Sequence, residues 1–284
     1  MTTEKQNDKV WFVTGASKGL GADLVQRLIG EGYLVAATSR NKQALINLIG
    51  EQENFLPLMM DVTSNADVKN AVQQAIARFG RIDVVVNNAG YSQIGAIEEL
   101  TPEEVQKNFD VNVFGPLHVI RNVAPHLRAQ GSGHIFNIAS IGGFVGNFPA
   151  FGIYCATKFA MAGYTEALAV ELAPFGIHTT LIYPGYFRTN FLEKDSAMVP
   201  AHPISAYANV REQEAQHLDE INGNQPNDSK KAATVFIALS KQEQPPVHFF
   251  MGLGASDFVK AKLSVIEQAL IDHAELAEST AITY

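Results

Sequence analysis

Several things are scarce in this chain of 284 residues, and each scarcity removes a class of function. Cysteine occurs once, at Cys155, so no intrachain disulfide can form and a reducing, cytoplasmic setting fits. No apolar run approaches the roughly 20 residues that a membrane-spanning helix needs. The segment Met1 to Lys9 is polar and lacks the apolar centre of a secretory leader. Basic charge is short: 21 Lys+Arg against 29 Asp+Glu leave a net charge of −8, and no basic run gathers. That argues against nucleic acid or an anionic membrane as a partner and leaves a small molecule. His118, His126, His134 and His178 show no ligand spacing and no carboxylate cluster joins them, so no metal is expected. There is no internal repeat, no low-complexity segment and no linker.

What is present suits an apolar core: 46% hydrophobic residues against 18% charged. Short runs rich in Val, Ile and Phe recur at Val10–Thr14, Leu34–Thr38, Phe55–Met60, Ile82–Asn87, His134–Ala139, His178–Tyr183 and Val247–Met251. They are mostly continuous rather than alternating, the pattern of strands buried on both faces in a parallel sheet. Between them lie stretches of helical period, such as Leu20, Leu24 and Leu28, or Val68, Val72 and Ile76. The expected fold is α/β, a doubly wound parallel sheet of about seven strands with helices on both faces. Residues 1–284 read as a single domain. Within it, 186–229 is a polar, proline-punctuated substrate loop with a short helix near Tyr207–Ile221, and 255–284 is a helical extension with a frayed end.

The first strand runs into Thr14-Gly15-Ala16-Ser17-Lys18-Gly19-Leu20-Gly21, and a helix follows. Gly15 permits a tight turn, Gly19 lets backbone approach a pyrophosphate, and Gly21 lets helix pack on strand. The free N–H groups of the helix start then face the anion. Ser39 and Arg40 follow the second strand, where NAD-selective proteins carry an acidic residue on the ribose 2′-hydroxyl. With no carboxylate there, and with Lys18 in the loop, a 2′-phosphate is accommodated, so NADP(H) is expected over NAD(H).

Tyr154 and Lys158 are four apart on a stretch that reads as helix through Ala173, so phenol and ammonium share one face. Carbonyl reduction needs a proton on oxygen as hydride reaches carbon. A free phenol has a pKa near 10, and a neighbouring ammonium, together with the positive nicotinamide of the oxidised state, favours phenolate. Lowering that pKa by ~3 units corresponds to about 4 kcal/mol. Ser140, at the end of the strand His134–Ala139, sits at the carboxyl edge of the sheet, where it can hold and polarise a substrate oxygen.

With the glycine loop, Ser140 and Tyr154-x-x-x-Lys158, the chain resembles the short-chain dehydrogenase/reductases, a Rossmann-fold family, along nearly its whole length. The glycine loop alone is a weak signal; the later motifs make the likeness specific. The resemblance implies a hydride transfer between nicotinamide and a carbonyl or secondary alcohol, with Tyr154 as acid–base group and Ser140 orienting substrate. It implies that Lys158 lowers the tyrosine pKa and holds the nicotinamide ribose, and that Asn112 braces a proton relay. Asp61-Val62 looks like the adenine-contacting pair, and Asn88-Ala89-Gly90 like the segment supporting the adenosine ribose. Pro184-Gly185 with Thr189 resembles the segment around the nicotinamide amide. Phe159 to Gly163 and Gly252 to Leu263 are similar to the hydroxysteroid- and retinol-dehydrogenase-like branch. One departure is a Ser140–Tyr154 interval that is one residue longer, near Asn147, which bears on pocket shape. By analogy the protein is a homodimer or homotetramer through the helices carrying Asn112 and Tyr154.

Large apolar side chains gather near the expected site: Phe144, Phe148 and Phe151, then Tyr186, Phe187, Phe191 and Met198. Together with Tyr91 and Gln93 they suit a hydrophobic ketone or aldehyde, although packing of a loop or an interface explains them equally. Cys155 reads as a small packing residue pointing away from Tyr154. Two other readings stay open: a catalytically silent NADP(H)-sensing or scaffold protein, and a nucleotide-sugar epimerase or dehydratase. The intact Ser140, Tyr154 and Lys158 argue against the first, and the lack of a separate substrate domain against the second.

Overall fold

In the computed structural model, which describes residues 8–282, seven strands form one sheet. They are β1 (Val10–Val13), β2 (Leu34–Ser39), β3 (Phe55–Met59), β4 (Val84–Asn87), β5 (Gly133–Ile138), β6 (Ile177–Pro184) and β7 (His248–Met251). Their order is β7-β6-β5-β4-β1-β2-β3, and every pairing is parallel. Chain order reverses between β1 and β4, which opens a crevice at the carboxyl ends of the strands.

Both sheet faces are covered, and this explains the continuous apolar runs. β1 sends Trp11 and Val13 into one core layer and Phe12 into the other. The first layer packs against α1 (Gly19–Gly30) and α8 (Ser229–Leu239) through Leu24, Leu28, Ala233 and Phe236. The second packs against α3 (Asn65–Phe79) and α5 (Gly115–Gln130) through Val68, Val72, Val119 and Val123. Trp11 stacks on Phe136 at 6.4 Å and meets Tyr33 edge-on at 5.9 Å. Side-chain caps mark helix starts, with Asn41 on α2 (Lys42–Ile49) and Ser64 on α3.

Each expected strand forms, with ends shifted by a residue or two. Ile82 and Asp83 stay outside the span of β4, although Asp83 still bonds both neighbouring strands, its N–H donating to the Val10 carbonyl and its carbonyl accepting from the His134 N–H, each at 2.9 Å. The Gln130 side chain bonds Ile82 backbone, and the Asp83 carboxylate accepts Val10 N–H at 2.8 Å. The helix expected near Tyr207–Ile221 is α7 (Ala208–Ala215) followed by a π-helical turn at Gln216–Ile221. The tail forms α9 (Ala255–Asp272) and α10 (Ala274–Glu278). Two-residue bridges pair Ser92–Gln93 with Ala197–Met198 and Phe187–Arg188 with Asn227–Asp228; they are too short for any periodicity to announce. Most of the polar segment Met1 to Lys9 and the last two residues of the tail lie outside the described residues. Among the described residues no helix is long and apolar enough to cross a membrane.

α6 (Gly152–Leu172) is anchored by a buried polar ladder. Asn87 Nδ2 donates to Asn137 Oδ1 at 2.8 Å, Asn137 Nδ2 donates to Thr165 Oγ1 at 2.9 Å, and Thr165 Oγ1 donates to the Met161 carbonyl at 2.6 Å. All three side chains are fully or almost fully buried. Asn137→Ala orphans Asn87 and frees α6 from β5. It is expected to lower unfolding stability by about 2–3 kcal/mol in urea titration, since each stranded buried polar group costs about 1–3 kcal/mol.

Candidate active site

The crevice holds a cavity of about 950 Å³ running from the glycine loop to Tyr154. At one end lie Gly15, Ser17, Lys18, Gly19 and Leu20, with Ser39 and Arg40 from the end of β2. Gly15 adopts φ +63°, and a Cβ on it would come within 2.7 Å of Ala89 Cα, so only glycine lets the loop sit on the β4 turn. Asn88 locks that contact, donating through Nδ2 to the Thr14 carbonyl at 3.0 Å and the Gly15 carbonyl at 2.9 Å. Both amide protons of Asn88 are therefore committed to the loop. No side chain caps α1, whose first turn opens onto the cavity. That leaves backbone N–H groups for an anion. Lys18 and Arg40 are exposed and form no ion pair within the described residues, while Ser39 Oγ donates to Ser17 Oγ at 3.1 Å. An elongated anionic dinucleotide fits this donor set. Asp61 and Val62 also line the cavity, with the Asp61 carboxylate accepting from the Thr63 N–H and hydroxyl.

At the other end stand Ser140, Tyr154 and Lys158. Ser140 lies two residues past β5, where its Oγ accepts Gly142 N–H at 3.0 Å and starts a short turn. Tyr154 and Lys158 come from the first two turns of α6 and are 8% and 4% exposed. Lys158 Nζ donates to the Ile138 carbonyl at 2.7 Å and lies 5.7 Å from the Tyr154 ring centroid. Among the described residues no carboxylate pairs with it, and burial pulls the amine down to about 7. Burial drives the Tyr154 phenol above its ordinary value, and a hydrogen bond with the Ser140 side chain only partly opposes this. In the protein alone, without the charge of a dinucleotide, burial outweighs any help from the lysine. Both groups are desolvated, and desolvation disfavours phenolate and ammonium alike.

Asn112 does not border the cavity. It sits fully buried in a π-helical turn (Asp110–Phe114) between α4 (Pro102–Phe109) and α5. Its Nδ2 donates to the Tyr91 carbonyl at 2.9 Å and to Thr157 Oγ1 at 3.1 Å, and its Oδ1 accepts Tyr91 N–H at 3.1 Å. It thus holds the strand β4 exit against α6. A Cβ on Gly90 would stand 3.1 Å from Asn112 Oδ1 and 3.6 Å from Lys158 Nζ, so Gly90 permits this close approach.

Ala89, Gly90, Pro184, Gly185, Thr189, Tyr186 and Phe191 line the cavity as expected. Thr189 Cβ comes 3.5 Å from where a Gly19 Cβ would be, so this loop closes on the glycine loop. Two expected substrate contacts fail. Phe144 points into a separate cluster with Tyr183 and Phe250, and its carbonyl is taken by Lys262. Gln93 is 2% exposed and donates to the Ile94 and Met198 carbonyls. Conversely, Cys155 does border the cavity, and burial pushes its thiol up to about 11, away from nucleophilic thiolate. Phe148, Phe151 and Met198 form the apolar wall. Phe148 and Phe151 flank Ala150, which adopts φ 71°.

His217 was not foreseen. It lines the cavity, packs tilted against Phe151 with ring centroids 4.5 Å apart, and is 5% exposed. Its Nδ1 donates to the Gln213 carbonyl at 2.8 Å, so its Nε2 accepts from the Tyr186 hydroxyl at 3.1 Å. Burial lowers its basicity. Its only sequence signal was a lone histidine in a polar helix far from every motif. Among the described residues no cluster of His, Cys, Asp or Glu could hold a metal.

The model of the short chain dehydrogenase family matches residues 9–200. Oxidoreductase BOA17 of Botryotinia fuckeliana is 34% identical, over 91% of this chain and 94% of that protein. The 3-ketodihydrosphingosine reductase of Bacteroides thetaiotaomicron is 35% identical, over 86% and 88%. Among solved structures, a short-chain dehydrogenase from Streptomyces avermitilis is 35% identical with a TM-score of 0.87, covering 96% of this chain and 100% of that one. A 3-ketoacyl-(acyl-carrier-protein) reductase from Brucella melitensis complexed with NADH is 26% identical (TM-score 0.72; 87% and 98% covered). ElxO with NADP bound is 25% identical (TM-score 0.72; 88% and 99% covered).

The depressed Lys158 has a stability consequence. Its folded value of about 7 lies below the ordinary 10.5, so between these the unfolded chain holds a proton that the folded chain has released. Stability of the nucleotide-free protein therefore rises with pH across that window and is lowest below it. Thermal unfolding from about pH 7 to 9.5 checks this, with Lys158→Met expected to remove this part of the rise.

Proposed function

The chain belongs to the short chain dehydrogenase family of oxidoreductases, and within it we propose an NADP(H)-dependent reductase of hydrophobic ketones or aldehydes that runs its proton transfer through Tyr154. One observation carries this reading: a desolvated phenol and a desolvated amine stand together with Ser140 at the end of a cavity whose other end is built for an anion. A bound nicotinamide dinucleotide supplies or accepts the hydride. The chain's residues do the rest. Ser140 and the Tyr154 hydroxyl hold the substrate oxygen, and Tyr154 gives it a proton during reduction. Lys158, fixed by Ile138, turns its remaining protons toward the cavity, where they stabilise negative charge on the phenol. Asn112 acts through Thr157 and Tyr91 as a positioning residue.

Preference for NADP(H) is supported by Lys18 and Arg40 flanking the cavity beside Ser39, with no carboxylate there to repel a 2′-phosphate. The apolar wall of Phe148, Phe151, Phe191 and Met198 supports a hydrophobic substrate, and likeness to a protein named 3-ketodihydrosphingosine reductase supports a ketone. Residues 186–229 are the segment that closes this substrate end.

Oxidation of NADPH, followed by its near-ultraviolet absorbance against a panel of apolar ketones and aldehydes, tests the reading. Tyr154→Phe is expected to lower kcat by about 10²–10⁴-fold while NADPH still binds. Unchanged turnover in that variant contradicts the mechanism, and tight NADPH binding with no turnover on the whole panel favours a silent sensor. Arg40→Asp is expected to raise KM for NADPH by about 10-fold or more while sparing NADH, because a charge-assisted contact is worth about 1.5–3 kcal/mol.

A further inference from the structure

His217 reaches the cavity with both ring nitrogens engaged. Its Nδ1 lies 2.8 Å from the Gln213 carbonyl, which can only accept, so the ring proton sits on Nδ1. Burial lowers the basicity of the ring and keeps it neutral, so Nε2 carries a lone pair. The Tyr186 hydroxyl, 3.1 Å away, donates its proton to that lone pair. Burial also raises the Tyr186 phenol, so the proton stays on its oxygen. The histidine thereby sets the polarity of the tyrosine. With its one proton spent, Tyr186 Oη has only lone pairs left for a molecule in the cavity that both residues line.

Gln225 adds a second acceptor on the same wall. Asn227, two residues further on, donates through its backbone N–H and its side chain to the Tyr186 carbonyl, and Arg188 donates to the Gln225 carbonyl at 3.2 Å. Gln225 is 3% exposed and lines the cavity, yet its Oε1 has no hydrogen-bond partner among the described residues. A buried acceptor without a donor is uncommon in folded proteins and calls for one. These acceptors stand beside the reacting pair. Phe151, whose ring packs on His217, precedes Tyr154 by three residues and shares one apolar cluster with it, Phe148 and Phe191. A mostly apolar pocket with a few placed polar groups takes the body of a ligand by its apolar wall and orients it by those groups. Neither Tyr186 nor Gln225 carries charge, so the group that fits them is a neutral donor; a buried ammonium would find no counter-charge in this pair.

We propose that Tyr186, oriented by His217, and Gln225 form a second polar subsite that takes a hydroxyl of the substrate, so that the preferred substrate is a hydroxylated apolar ketone or aldehyde rather than a plain one. This rests on the reductase reading and names the substrate class within it.

Matched pairs of alkyl ketones test it, each pair ending in a hydroxyl or in the methyl ether of that hydroxyl, with spacers of graded length. The ether keeps the acceptor and loses the donor. For at least one spacer the wild type is expected to favour the hydroxy ketone in kcat/KM by about 10-fold or more, because the ether leaves buried acceptors unpaired. Tyr186→Phe and Gln225→Leu are each expected to reduce that ratio, the first to near unity. His217→Leu frees the Tyr186 proton for donation, so the ether is expected to gain on the hydroxy ketone although Tyr186 remains; a merely structural histidine would lower both together. Retained NADPH binding shows that each variant is folded. A wild type that treats both members of every pair alike, or a preference that survives unchanged in Tyr186→Phe or Gln225→Leu, overturns the subsite and leaves the reductase reading intact. So does a Tyr186→Phe effect confined to KM for NADPH, which assigns these groups to the nucleotide. If no ketone is reduced, the reductase reading fails, and binding of the same pairs to the NADPH-loaded protein, read by NADPH fluorescence, decides the subsite alone. Tighter binding of the hydroxy ketone then upholds it, and equal binding overturns it.

Discussion

An amine and a phenol buried together without a carboxylate are the constraint around which the rest is arranged. Lys158 has one fixed partner, the Ile138 carbonyl, and Tyr154 has Ser140. All of these come from two elements that must meet accurately: the end of β5 and the start of α6. The Asn87–Asn137–Thr165 ladder ties those elements inside the core. The π-helical turn at Asn112 ties them again from the side, through Tyr91 and Thr157. Polar networks inside a low-dielectric core hold geometry well because leaving any member unpaired is costly.

The electrostatics of this pair point to a resting state and a working state. With nothing else in the cavity, desolvation keeps the phenol protonated and lets the amine lose its proton near neutrality. In the proposed reduction the phenol therefore starts protonated, and the positive charge that develops on the nicotinamide as hydride leaves is the proposed counterweight to the phenolate that forms. Each unit of pKa moved corresponds to 1.36 kcal/mol, so a shift of several units lies within the reach of one added charge in a closed site. Under the proposed mechanism, occupancy of the nucleotide end and proton chemistry at Tyr154 are coupled.

The sheet was readable because both of its faces are covered, which turns each strand into an unbroken apolar run such as Val10–Val13. The nucleotide end was readable because Gly15 must adopt φ +63° against Ala89, a demand that only one residue type meets cheaply. The substrate end was not. Phe144 and Phe148 lie four residues apart in one loop, yet the first packs outward on Tyr183 and the second lines the cavity. No period governs such a loop. His217 reaches the site through a helix that only the folded chain brings to Tyr186. The direction of the Tyr154 shift was also hidden, because spacing shows that a lysine is near but not how much water both groups have lost.

The most direct test of the central claim is a titration of the Tyr154 phenol itself. Ultraviolet difference spectra, with Tyr154→Phe subtracted, would be taken with and without bound NADP⁺. The account predicts ionisation above the ordinary tyrosine range in the free protein and a fall of several units when the oxidised dinucleotide binds. A phenol that titrates at the same pH in both states would contradict it.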